Sequence, residues 1–310
     1  AAASAALLPG PLERSRGCLG CRRGPLHISR GCLGQTPPGR SDGGGSRVLI
    51  LGGGIIGVSV AYHLARRGVK STVVDHAGIA SCASGKAGGF LARDWNDRGP
   101  LRALARASFD MHEELARRLQ LRSYRRLSCK SVAVSGALTK PQVRKLEGVE
   151  WADTGVDSER QMGDESTIAQ VHPKELTEAL WAAAQRSAGC EFVRGTVNEV
   201  LVEERGDAAA PAARRAVGAL VNGSPLAADA VVLCTGPWSQ VLSTLEPRLR
   251  VYGQKCHSVL LRTKRVFAEA VFFKGMGDPE VYPRSDGENY VTGFPDPAEI
   301  VTEPPGNVQV

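Results

Sequence analysis

No stretch of the 310-residue chain stays apolar for the twenty or so positions that a membrane-crossing helix requires; its apolar runs, such as Val48–Leu51, are strand-sized. A membrane span is therefore not expected. Aromatic residues are only 5% of the chain and form no extended stretch interleaved with basic ones, so nucleic acid is not an expected partner despite a net charge of +7. Much of that charge lies in residues 1–46, where Arg14, Arg16, Arg22, Arg23, Arg30 and Arg40 face only Glu13 and Asp42. Metal-binding cysteine pairs are missing too. Cys18 and Cys21 form a Cys-x-x-Cys without a second pair at zinc-ribbon spacing, and Cys82, Cys129, Cys190, Cys234 and Cys256 stand singly, as reduced structural thiols do. The chain also has no His-Glu-x-x-His, no phosphate-binding P-loop and no serine-hydrolase elbow, which argues against zinc proteases, P-loop nucleotidases and serine hydrolases.

Acidic residues and apolar periodicity are both scarce in residues 1–46, a Gly-, Pro-, Arg-, Ser- and Ala-rich segment in which Arg-Gly-Cys-Leu-Gly occurs twice. Such a composition predicts disorder. Being arginine-rich and acid-poor, it is similar to an organellar transit peptide directed to a mitochondrion or plastid. A translated non-coding stretch on a cytoplasmic protein is the other reading.

What is present begins at Arg47. RVLILGGGIIGVSVAYHLARRG joins a buried-strand run, VLIL, to a helix closed by Gly68 through G-x-G-x-x-G, with Gly52, Gly54 and Gly57 in the glycine positions. The first glycine permits a tight turn, the second lets backbone approach a pyrophosphate, and the third brings helix against strand. A second strand, KSTVVD, ends at Asp75, eighteen residues past Gly57, where a carboxylate can accept hydrogen bonds from both ribose hydroxyls of a dinucleotide. Beyond it, Ser84, Gly85, Lys86, Gly88 and Gly89 form a small-residue loop with backbone exposed to a flat ligand, in place of the continuation of a plain NAD domain. FAD is therefore expected rather than NAD. Ile55, Ile56 and His76 complete this part of the candidate cofactor set.

From Arg47 to about Pro295 the sequence resembles the FAD-dependent amine and amino-acid oxidoreductases that include D-amino-acid oxidase, glycine oxidase and sarcosine oxidase (the DAO family). The wording SGKAGGFLARDW is similar to that of a poorly characterised branch. Further landmarks are AQVHPKELTEALWAAA, GTVNEV, AVVLCTGPWS and VYPRSDGENYVTGFP. The resemblance implies an α/β fold: a Rossmann-like FAD-binding domain (47–127 and 164–245) interleaved with an antiparallel-sheet substrate domain (128–163 and 246–310). It implies that the backbone of Val197 meets the adenine and that Thr235 and Gly236 place small groups against the cofactor. It also implies a C-terminal element closing over the flavin, which is not found before Val310.

The implied chemistry is oxidation of the C–N bond of an amino acid or secondary amine by hydride transfer to flavin N5, without protein nucleophile or metal. No attachment signal is found, so the flavin is expected to be noncovalent. Lys274 is the last lysine, and no family-type lysine follows the GFP strand, so a dehydrogenase is as open as an oxidase. Tyr282, Arg284 and Tyr290 are the candidate substrate residues: an arginine can pair with a carboxylate and a tyrosine can orient it. Strand alternation gives any one arginine an even chance of facing solvent, and exposure is the expectation for Arg284. A catalytically inactive flavoprotein acting through a partner is the alternative, and the oligomeric state is not legible.

Overall fold

The computed structural model describes residues 46–134, 149, 151, 156–205, 213–242, 251–275, 277–293 and 299–308. The arginine-rich segment and the GFP phenylalanine and proline lie outside the described residues.

Val48–Leu51 (β1) is almost wholly buried, as a strand covered on both faces must be. Ile55–Ala65 (α1) follows, and the chain returns as Ser71–Asp75 (β2), paired in parallel with β1. Next come a one-turn helix, Ala83–Lys86 (α2), a short strand, Phe90–Ala92 (β3), and the long helix Arg102–Leu119 (α3). Part of the expected small-residue loop is thus helical. Arg125–Arg126 (β4) leads to Ser128–Val134 (β5), Val156–Gly163 (β6) and Ile168–Gln170 (β7).

Pro173–Ala188 (α4) starts and stops where its sequence says it should. Proline supplies the first helical turn, and Gly189 ends the helix in the left-handed region, its N–H donating to Gln185 O at 2.9 Å. The strands that follow, Glu191–Arg194 (β8) and Val197–Arg205 (β9), go to different sheets. β8 extends the parallel sheet beside β2, whereas β9 joins a separate antiparallel sheet with Ala213–Val221 (β10) and Ser224–Ala227 (β11). Ala230–Leu233 (β12) then pairs with β1, giving the parallel order β12-β1-β2-β8.

Alternation along β1 divides the core. Ile50 packs with Val58, Ala61, Tyr62, Leu180, Trp181 and Ala184 under α1 and α4, while Leu49 and Leu51 pack with Val200, Ala219 and Val221 of the β9–β11 layer. The parallel sheet is therefore sandwiched between helices and a second sheet.

Ser258–Arg262 (β13), Glu269–Lys274 (β14), Glu280–Pro283 (β15) and Glu288–Thr292 (β16) build a six-stranded roof in the order β13-β16-β15-β14-β5-β6. The roof is antiparallel except at one junction. β14 lies parallel to β5, which corrects the expectation of a purely antiparallel sheet. Parallel neighbours need a long crossover, and the whole second passage through the parallel sheet supplies one. The fourth sheet is β3-β7-β4, and Phe90 on β3 packs in a cluster with Leu127, Cys129, Ile168 and Tyr282.

Candidate active site

The glycine turn after β1 is dictated by contact. Gly52 has φ 115°, and a Cβ there would stand 2.2 Å from Cys234 O at the end of β12; a Cβ on Gly57 would stand 2.0 Å from Gly52 O. At Gly54 a Cβ would meet only the Ser84 side chain, at 3.1 Å. Two glycines thus let strands and helix close up, and the third leaves the mouth of the turn open.

Helix α1 has no side-chain cap at Gly54 and no acid in its first turn, so its positive end is left for an anion. One first-turn donor is engaged: Ile55 N–H donates to Ser84 Oγ at 2.9 Å, which leaves the serine O–H to donate outward. Ile56 beside it is exposed. Asp75 accepts from Gly53 N at one oxygen, and from both Ala77 N and Gly78 N at the other, each at 2.8 Å. With about two lone pairs per carboxylate oxygen, one acceptor position remains. The carboxylate expected to face the ribose is thus braced against the glycine turn and the backbone of Ala77 and Gly78.

The other predicted cofactor residues surround this turn unevenly. His76 is exposed and shares a 2.7 Å hydrogen bond with Thr196 Oγ1; Val197 opens β9 and packs into the β-layer core. Thr235 and Gly236 follow β12, with Thr235 Oγ1 3.0 Å from Ser239 Oγ. Gly85 N–H donates to Cys82 O within α2, Lys86 is exposed at the end of that helix, and Gly89 O accepts from Val171 N.

The roof meets the cofactor side at Gly88. Tyr282 and Tyr290, opposite in register on β15 and β16, stack with centroids 5.8 Å apart, and a Cβ on Gly88 would fall 2.4 Å from Tyr282 Cδ2 and 3.0 Å from Tyr290 Cδ1. Phe90 stacks on the far side of Tyr282 at 5.3 Å. Gln170, fully buried on β7, donates to Gly88 O at 3.2 Å.

Arg284 overturns its expectation of exposure. It is only 5% exposed, and its guanidinium donates to Ala87 O, to Glu288 Oε2 and to His172 Nε2 at 3.2–3.3 Å. Its charge is answered by Glu288, so it ties the roof to the Ala87–Gly89 loop and to the start of α4 rather than waiting for a substrate carboxylate. An arginine can only donate, so His172 Nε2 must be the acceptor and the ring neutral. Burial, reinforced by Arg284, accordingly holds the His172 pKa below its ordinary value.

Sequence reading missed His172, Gln170, Glu288 and Glu280. Glu280 was within reach, because it is two residues before Tyr282 and so shares its face of β15.

The chain matches the family model described as FAD dependent oxidoreductase (DAO) over residues 47–305. It belongs to the DAO family of FAD-dependent oxidoreductases. It is 33% identical over 272 residues to the Schizosaccharomyces pombe protein named "Putative oxidoreductase C1F5.03c", covering 79% of this chain and 69% of that one. The crystal structure of glycine oxidase from Geobacillus kaustophilus shares the fold with a TM-score of 0.60 at 23% identity, covering 83% of this chain and 72% of the other. L-proline dehydrogenase from P. horikoshii does so with a TM-score of 0.59 at 18% identity, covering 80% and 69%. The cofactor of this DAO-family oxidoreductase is FAD, and the donor set fits it: an uncapped helix end in a glycine turn, a free acceptor position on Asp75 and an aromatic roof over Gly88.

Proposed function

We propose that this chain holds FAD noncovalently and oxidises the C–N bond of an amino acid or a secondary amine to an imine. In this reading residues 47–127 and 164–245 hold the nucleotide, and residues 128–163 and 246–310 shape the substrate side. The backbone of Gly52–Gly57 and the Ser84 hydroxyl would bind the diphosphate, Asp75 one ribose hydroxyl, and the start of β9 at Val197 the adenine. The bound cofactor supplies a two-electron acceptor.

The chain's own residues supply enclosure and orientation. Tyr282, Tyr290 and Phe90 form an apolar wall that keeps water from the reacting end, and Arg284 fixes the roof against the Ala87–Gly89 loop. The observation that carries the reading is the meeting at Gly88, where roof aromatics rest on the loop that follows the glycine turn. A neutral amine presented beneath that wall needs no nucleophile to lose hydride.

The test is reconstitution with FAD followed by anaerobic addition of amino acids and N-methylated amines. Bleaching of the flavin absorbance by at least one of them is expected, and NAD should not substitute. Micromolar NAD affinity without flavin retention would overturn the assignment. Reoxidation of the bleached protein by air, compared with an artificial dye, separates an oxidase from a dehydrogenase.

A further inference from the structure

Glu280 begins β15, directly opposite Phe272 of β14 and Thr292 of β16. Side chains two apart on a strand share a face, so Glu280 stands one step of about 7 Å from Tyr282, on the face that meets Gly88. The Tyr282 hydroxyl donates to Glu280 Oε2. Among the described residues no Lys, Arg or His is hydrogen-bonded to this carboxyl or forms an ion pair with it. Burial raises its pKa, and burial followed by the Glu280 charge pushes the nearby Cys129 thiol up to about 12. An acid in that setting lacks a counter-charge.

Its surroundings are aromatic. Phe272 lies 5.5 Å from Tyr282, 5.4 Å from Phe90 and 5.3 Å from Trp95, so the strand neighbour of Glu280 belongs to a continuous wall of rings. Ring faces attract cations, and a carboxylate beside them adds a hydrogen-bonding anion. The same pairing repels a carboxylate.

We propose that Glu280, with the wall of Phe272, Tyr282 and Trp95, receives the substrate amine as its ammonium cation and takes one proton from it, so that the neutral amine is what loses hydride, and that this subsite favours amines lacking a carboxylate beside the nitrogen over α-amino acids. The proposal rests on the functional reading above and narrows it. Arg284, the candidate carboxylate anchor, is already committed to Glu288 and His172, which removes the competing recognition mode at this end of the roof.

The experiment is calorimetric titration of the FAD-loaded protein with tetramethylammonium, which cannot form an imine, and with the neutral, similarly shaped tert-butanol. Wild type is expected to bind the cation at least tenfold more tightly than the alcohol. Glu280→Gln keeps the side-chain shape and an oxygen to accept from Tyr282, and should erase that preference. Tyr282→Phe, which keeps the charge, should retain most of it, and melting temperatures of both variants report folding. No preference in wild type, or an undiminished one in folded Glu280→Gln, overturns the subsite. A preference without flavin bleaching by any amine would sink the oxidoreductase reading and leave the subsite standing; bleaching by amines without a cation preference would do the reverse.

Discussion

At the scale of single residues, His172 is the group whose protonation state is decided by its neighbours. Its Nε2 accepts from Arg284, whose charge is also met by Glu288, while Asp286 and Glu175 face it from the β15–β16 turn and from α4. Protonation would remove the acceptor and place a second cation against the guanidinium. The folded pKa lies below the ordinary 6.5, so the unfolded chain takes up the proton first as pH falls. The contribution to stability is therefore complete above 6.5 and is lost as pH drops through the folded value. His172→Gln keeps an acceptor but cannot titrate. Urea unfolding at pH 7.5 and pH 5 should show wild type losing more stability over that interval than the variant; equal losses would mean that His172 does not carry this dependence.

At the scale of elements, the β10–β11 hairpin turns on Asn222-Gly223, with φ 50° and 77°, the backbone that an Asn-Gly two-residue turn demands. The tip is braced: Asn222 Oδ1 accepts from Thr196 N at 2.8 Å, and Gly223 N donates to Asn198 Oδ1 at 3.1 Å. This hairpin covers the lower face of the parallel sheet through Ala219 and Val221, so strain at its tip should weaken the nucleotide side before the roof. Gly223→Ala should cost about 1 kcal/mol, because a positive φ is unfavourable to any side chain although nothing obstructs the Cβ. Chemical denaturation measures that cost, and a stabilised variant would contradict it. The Val-Asn-Gly-Ser signal was present in the sequence, but strand reading stopped at the landmarks on either side.

At the scale of the whole molecule, the site is assembled where two sheets built from alternating passages of one chain come together at Gly88. A ligand that bridges them should stabilise both. FAD at about 1,000 times its dissociation constant should add about 4 kcal/mol, read as a raised melting temperature, while NAD at the same concentration should leave the transition in place. Identical shifts with both would remove the basis for choosing FAD by geometry. Much of this was determined by sequence alone. The glycine turn after VLIL and the proline and glycine that bound α4 are short motifs, and the backbone adopts the turn and the helix that they specify. Strand parity was also legible, since Glu280 and Tyr282, two apart, share a face of β15. Only tertiary structure decided what each side would meet. It sent β8 and β9 to different sheets and set β14 parallel to β5. It spent most of the Asp75 carboxylate on backbone, and buried Arg284 against His172 and Glu288. Alternation tells which residues face together, but whether that face meets solvent, a counter-charge or a ring depends on segments far away in the chain.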